Sequence, residues 1–144
     1  MNKILCLGIE STADDLGVGI ASSEGKILAN KRSTYTPEKG GIHPREAARH
    51  HSAQIGSVLE SALSKAEVEP KDINLVAFSQ GPGMGPCLRT GATIARALAI
   101  YLDVPLVGVN HAVAHIEIGR LAAKAGDPLT LFVSGGNTIV TGYE

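Results

Sequence analysis

The sequence predicts an α/β fold in the order β-β-β-α-β-α-β-α, followed by the opening strands of a second unit. Three observations carry this. Short apolar runs end repeatedly in clusters of Gly, Ser, Asn or Pro. Two long segments space their apolar residues by three and four, as an amphipathic helix does. The pattern that opens the chain (buried strand, hydroxyl-bearing turn, returning strand) comes back near its end, as an internal repeat. A chain of 144 residues is one domain, or one domain and the start of another.

Lys3 to Ile9 (KILCLGI) is a continuous apolar run, which predicts a strand buried on both faces. The polar stretch Glu10 to Asp15 (ESTADD) forms the first turn, Gly17 to Ser22 a second strand, and Ser23-Glu24-Gly25-Lys26 a tight hairpin turn. Lys26 to Tyr35 is a third, more polar strand, and the three are read as antiparallel. Thr36 to Pro44 is a connector rich in Pro and Gly. Arg45 to Val68 is the first helix, with Ala47, His51, Ile55, Val58, Leu59, Ala62, Leu63 and Ala66 on its apolar side. Pro44 suits its first turn and Pro70 follows its end. His50 is expected at the surface and His51 half-buried, while His43 lies in the connector.

Asn74 to Ser79 is the next strand, running into the loop Gln80 to Pro86 (QGPGMGP). That loop is either a connection needing unusual backbone angles or a place where backbone approaches a ligand or partner. Leu88 to Leu102 is a helix with Leu88, Ile94, Leu98 and Leu102 on one side and Ala92, Ala95, Ala97 and Ala99 around it. Pro105 to Val109 is a further, parallel strand. Asn110 caps the helix that follows, to Lys124. Ala125-Gly126-Asp127-Pro128 stops that helix and marks a candidate boundary. Leu129 to Val133 and Thr138 to Tyr143 are two last strands around the turn Ser134 to Asn137.

Composition bounds the functional classes. Hydrophobic residues make up 44% with no Trp, so the core is built from Ala, Val, Ile and Leu. A net charge of −1 leaves no global electrostatic footprint for nucleic acid, so RNA binding needs a local patch or another subunit. Cys6 and Cys87 belong to no metal or redox motif and read as reduced thiols. No apolar run approaches the roughly 18–20 residues of a membrane span, and Ile4 to Leu7 is too short for a signal segment. The expectation is a soluble cytoplasmic protein.

Two segments carry candidate chemistry. In Asn110 to Gly119 (NHAVAHIEIG), His111 and His115 stand four residues apart, so both imidazoles can leave one helix face and share a metal ion. They sit where a strand gives way to a helix, the usual position of sites in open α/β sheets. On spacing alone, the simpler reading is a chance pair of helical histidines. The ESTADD turn is either a phosphate-facing loop using Ser11 and Thr12 or an ordinary polar turn; it lacks the Gly spacing and Lys of a P-loop.

Four segments in one register, GIESTADDLGVGI, SQGPGMGPCLRTG, NHAVAHIEIG and FVSGGNT, resemble the universal tRNA threonylcarbamoyladenosine family. This is TsaD in bacteria and the catalytic subunit of the KEOPS complex in archaea and eukaryotes, once named O-sialoglycoprotein endopeptidase. IEIG and GGIHPREAARHH resemble archaeal or eukaryotic members. The resemblance implies the actin/sugar-kinase/Hsp70-like (ASKHA) fold, two lobes clamping a nucleotide. It also implies a longer protein, with residues 1–125 as the first lobe and 126–144 as the start of the second. The implied reaction transfers a threonylcarbamoyl group from threonylcarbamoyl-AMP to N6 of the adenosine 3′ of the anticodon. His111 and His115 match the family's metal ligands, for one iron or zinc ion. Phe132, Val133, Ser134, Gly135 and Gly136 match its substrate-binding strand and turn. Ser11, Thr12 and Asn137 match cleft positions, and Glu10 is the candidate catalytic group. The implied partners are tRNA and the small dimerising and small kinase/ATPase subunits of KEOPS, with helices 45–68 and 88–102 as docking surface and Ile94 and Leu98 as its test positions. The family's further metal ligand, an Asp, belongs to the second lobe, and Phe132 stands where archaeal members commonly carry Tyr.

Two other readings follow from the same residues. A lobe of this fold can act as a non-catalytic scaffold or dimerising unit, though such a lobe has no need of both histidines. A zinc protease needs His-Glu-x-x-His, and Ala112 occupies the position of the Glu that would serve as base.

Overall fold

A computed structural model describes residues 3–134 and 137–142. Its strands and helices follow the order read from the patterning. They are β1 (Leu5–Glu10), β2 (Asp15–Ser22), β3 (Ile27–Thr34), α1 (Pro44–Ala66), β4 (Leu75–Gly81), α2 (Gly85–Leu102), β5 (Leu106–Asn110), α3 (His111–Ala123), β6 (Thr130–Ser134) and β7 (Asn137–Thr141). A single 3-10 turn, Pro70–Asp72, connects α1 to β4. The first five strands form one sheet in the order β3-β2-β1-β4-β5. β2 is antiparallel to β1 and β3, whereas β4 is parallel to β1 and β5 to β4. β6 and β7 make a separate two-stranded hairpin.

The core lies on one face of the large sheet. Leu5, Leu7 and Ile9 of β1 and Leu16, Val18 and Ile20 of β2 point into it and meet Val58 and Ala62 of α1 and Ala95 and Ala99 of α2. At about 1.5–3 kcal/mol for each fully buried aliphatic side chain, this layer is the main source of stability. Alternation along β1 corrects the expectation of a strand covered on both faces. Leu5, Leu7 and Ile9 are buried, while Cys6 and Gly8 are only half-covered. Both α1 and α2 lie on the core face, and the other face is lined by small residues and overlooked, among the described helices, by α3.

The apolar stripe of α1 is as the periodicity predicts, with Ala47, His51, Val58 and Ala62 buried. His51 is 0% exposed rather than half-buried, and His50 is half-buried rather than at the surface. On α2 the innermost stripe is Cys87, Gly91, Ala95 and Ala99. The larger Ile94, Leu98 and Leu102 border the core instead of forming its centre. The reason is distance: a helix presenting small residues at every fourth position sits closer to the sheet, leaving room for large side chains only at its flanks. Pro86 sits in the first turn of α2, so that helix begins three residues before the expected Leu88. The last strand ends at Thr141, and the expected end at Tyr143 lies outside the described residues.

Candidate functional site

The C-terminal ends of β1, β4 and β5 meet beside three segments: the Ser11–Asp14 turn, the loop after β4 and the start of α3. Each is positioned by identifiable contacts. Asn110 caps α3, its Oδ1 accepting from the backbone N–H groups of Ala112 (3.0 Å) and Val113 (3.2 Å). Capping fixes the first turn, where His111 stands. One turn later comes His115, whose Nε2 lies 3.2 Å from Nε2 of His111, with the rings nearly perpendicular at 84°. Phe132 of β6 packs on His115, its ring centroid 5.7 Å away. The His pair is therefore braced from the second hairpin as well as from its own helix.

The Ser11–Asp14 turn is far from an ordinary solvent-facing turn. Ser11 is 1% exposed, and its hydroxyl donates to the Cys87 carbonyl at 3.1 Å. Thr12 O accepts from Met84 N–H at 2.7 Å, and a Cβ on Gly83 would stand 2.7 Å from that same oxygen. The Gly-Pro loop thus makes its close backbone approach to this neighbouring turn. From below, buried His51 contacts Ala13 O through Nε2 at 3.0 Å. That bond assigns the proton to Nε2 and leaves Nδ1 as acceptor toward His50 Nδ1 at 3.4 Å; His50 Nε2 then accepts from the Ser33 hydroxyl at 3.1 Å. Sequence reasoning missed His51 as a prop. The signal was present, since His51 falls on the apolar stripe of α1, where a polar side chain needs a partner.

Glu10 is the last residue of β1, and its Oε1 accepts from the Thr12 N–H (2.6 Å) and hydroxyl (2.5 Å). Thr12 Oγ1 lies 3.5 Å from His111 Nε2. Glu10, Thr12, His111, His115 and Phe132 therefore form one connected group. Ser11 faces the core side instead, and Val133 and Ser134 are exposed. Gly135 and Gly136 lie outside the described residues, and Asn137 is placed only as the first residue of β7. His43 is exposed and takes no part.

Burial holds the His111 pKa below its ordinary value; His115 pushes the same way, and the Glu10 carboxylate opposes both. A neutral imidazole keeps a lone pair for a metal ion. Two ligands of a tetrahedral ion at about 2.0–2.1 Å stand roughly 3.3 Å apart, so the separation of 3.2 Å between the two Nε2 atoms fits a shared ion. Among the described residues, no group of three or more His, Cys, Asp or Glu side chains gathers around one point. What the described residues offer is a pair of nitrogen donors.

Behind the pair opens a groove of about 470 Å³, on the sheet face away from the core. Its floor is Cys6, Gly8, Gly17, Gly19, Ala21 and Ala77, and His111, Ala114, His115 and Ile118 of α3 form one wall. No described helix is long and apolar enough to cross a membrane.

Comparison with known proteins places these features in context. The family model described as TsaD, tRNA N6-adenosine threonylcarbamoyltransferase, matches residues 26–144. A tRNA N6-adenosine threonylcarbamoyltransferase of Methanopyrus kandleri is 59% identical over 143 residues, covering 95% of this chain and 41% of the relative. One of Caldivirga maquilingensis is 56% identical, covering 98% of this chain and 43% of the relative. A probable bifunctional tRNA threonylcarbamoyladenosine biosynthesis protein of Methanothermobacter thermautotrophicus is 56% identical, covering 98% and 26%. This chain thus spans less than half the length of these relatives. Among solved structures, YeaZ from Pseudomonas aeruginosa aligns with a TM-score of 0.64 at 16% identity, covering 99% of this chain and 65% of that one. A Ppx/GppA family member from Aquifex aeolicus aligns at 0.50 with 12% identity, covering 99% and 48%. At such identities these two speak for the fold alone, which is the ASKHA type expected from the motifs.

Proposed function

The chain belongs to the TsaD family of tRNA N6-adenosine threonylcarbamoyltransferases, and on that premise we propose that it is the N-terminal part of such an enzyme. Residues 1–125 form the first lobe and 126–144 begin the second, a division supported by the separate β6–β7 sheet. The whole enzyme transfers a threonylcarbamoyl group from threonylcarbamoyl-AMP to N6 of the adenosine 3′ of the anticodon. The observation that carries this reading is the His111–His115 pair, 3.2 Å apart at the C-terminal edge of the sheet and inside a family-matched segment.

His111 and His115 would hold one divalent ion, iron or zinc, and such an ion would supply Lewis-acid polarisation of an acyl carbonyl. The chain's own residues do the rest of this lobe's work. Burial keeps His111 neutral and so ready to ligate. Phe132 holds His115 by ring contact, which needs no phenol oxygen, so Phe suffices for this bracing role. Gly8, Gly17 and Gly19 lower the groove floor, giving a nucleotide's flat faces room against the sheet. Glu10 is the nearby carboxylate, on the same cleft edge, able to take the proton that the adenine amine loses on acylation. Phe132 to Gly136 match the family's substrate-binding segment, and Asn137 a cleft position, so a phosphate-binding role is assigned to this stretch of the whole enzyme. An acidic side chain at position 112 is missing, so the pair carries no protease base.

The RNA substrate and the partner subunits bind the whole enzyme, and the protein works in the cytoplasm. Partner docking on α1 and α2 finds support in the groove of about 540 Å³ between them, lined by Arg45, Arg49, Arg89 and Thr93. Ile100 and Tyr101 on α2 are 75% and 82% exposed. Ile94 lines that groove while Leu98 borders the core, so Ile94, Ile100 and Tyr101 are the better probes of a docked subunit.

The test is a chimera in which this chain replaces the matching N-terminal segment of the Methanopyrus kandleri relative. With threonylcarbamoyl-AMP and a tRNA substrate it should form the modified nucleoside. A chimera that folds and binds the donor yet makes none would overturn the assignment.

A further inference from the structure

The turn between β1 and β2 brings an oxygen atom to the histidine pair from the opposite end of the chain. A threonine hydroxyl has one proton and two lone pairs. Thr12 places its proton on Glu10 Oε1, at 2.5 Å, so what remains on its Oγ1 is acceptor capacity. That oxygen lies 3.5 Å from His111 Nε2, which in turn lies 3.2 Å from His115 Nε2. Stiffening the turn does not require this arrangement, because the Thr12 N–H already bonds the same carboxylate at 2.6 Å. Nor is Thr12 loosely placed. It is 6% exposed, and its carbonyl is held by Met84 N–H with Gly83 pressed against it.

Resting on the reading of the His pair as a metal site, we infer that Thr12, its hydroxyl polarised by Glu10, supplies a third contact to the ion held by His111 and His115. Donation to a carboxylate makes the hydroxyl oxygen more electron-rich, hence a better partner for a divalent cation or for a water on it. The carboxylate also adds a negative charge one bond removed from the ion, without being a ligand. With Thr12 beside the two imidazoles, the described residues would offer three contacts to such an ion before a further carboxylate completes the set.

Titrating Co²⁺ into this chain, followed by calorimetry and by the visible absorption of the bound ion, separates the possibilities. Thr12→Val keeps the shape and removes the oxygen, and it should weaken Co²⁺ by about 10-fold or more and shift the visible bands. Thr12→Ser restores the hydroxyl and should bind within about 2-fold of the parent chain, since the donor set is unchanged. Glu10→Gln keeps an acceptor and drops the charge, and it should weaken binding at unchanged thermal stability. The inference is overturned if Thr12→Val binds and absorbs like the parent while His111→Ala loses the ion. It is equally overturned if Ser fails to rescue, or if Glu10→Gln binds like the parent. Should His111→Ala itself retain the ion, the His-pair reading fails, and this inference with it.

Discussion

Gly91 is the point where the second helix and the candidate site press hardest on each other. A Cβ added there would stand 2.0 Å from Ser11 Oγ and 3.2 Å from Ser11 Cβ, both buried. In Gly91→Ala the Ser11 hydroxyl must therefore rotate away and leave the Cys87 carbonyl it now reaches at 3.1 Å. Overpacking of this kind costs about 1–3 kcal/mol, and the lost hydrogen bond about 1 kcal/mol. Replacing Gly by Ala inside a helix returns about 1 kcal/mol. The last two offset each other, so a net loss of about 1–3 kcal/mol is expected. Ser11→Ala alone should cost about 1 kcal/mol, from the missing bond. The double variant should be close to the parent, because removing Oγ clears the space that the new methyl needs. The cycle thus carries a favourable coupling of about 2–4 kcal/mol, readable by urea unfolding of the four proteins. A Gly91→Ala protein that is more stable than the parent would refute the packing argument. So would two single effects that simply add.

Two other perturbations report on the same region. His51→Ala empties a fully buried position and strands the Ala13 carbonyl, so a loss of about 2–4 kcal/mol in thermal or urea unfolding is expected; a change near zero would mean the prop is dispensable. His50 and His111 both have pKa values held below the ordinary 6.5, in each case first by burial and next by the neighbouring His51 or His115. A His whose folded pKa is depressed binds fewer protons folded than unfolded, so its stabilising share is complete above 6.5 and is lost as pH falls through the folded value. Stability measured by urea unfolding should therefore decline from pH 7 toward pH 5, and less steeply in His50→Gln; a rise on acidification would contradict both shifts.

Much of the fold was legible because its periodicities are local. The i, i+3, i+4 pattern of Ala47, His51, Ile55, Val58 and Ala62 needs only the helix itself, and the capping role of Asn110 follows from its place before His111. Gly25, with φ at +77°, sits in the hairpin turn where the sequence predicts one. Burial on two sides is a different matter. KILCLGI reads as apolar throughout, but whether its Cys6–Gly8 side is covered depends on which face each later helix takes. The inner stripe of α2 was misread for a related reason: Leu and Ile dominate a hydrophobicity pattern, while Cys87, Gly91, Ala95 and Ala99 face the sheet because they are small.

The site divides in the same way. The spacing of His111 and His115 is written in five consecutive residues. The approach of Thr12 to His111 joins positions 99 residues apart and depends on β1 and β5 flanking β4. Motif order could place both segments at the cleft, but not set the hydroxyl toward the imidazole rather than toward solvent. The contact between His115 and Phe132 likewise depends on a hairpin that belongs to a different sheet.

The central claim is that the histidine pair of this chain serves the transferase reaction. It is tested most directly by His111→Ala in the chimera with the Methanopyrus kandleri remainder, reading bound metal and modified nucleoside on the same sample. Loss of the ion together with loss of the modified nucleoside, at unchanged thermal stability, is the predicted result. Modified nucleoside formed at the parent rate without the imidazole would contradict it.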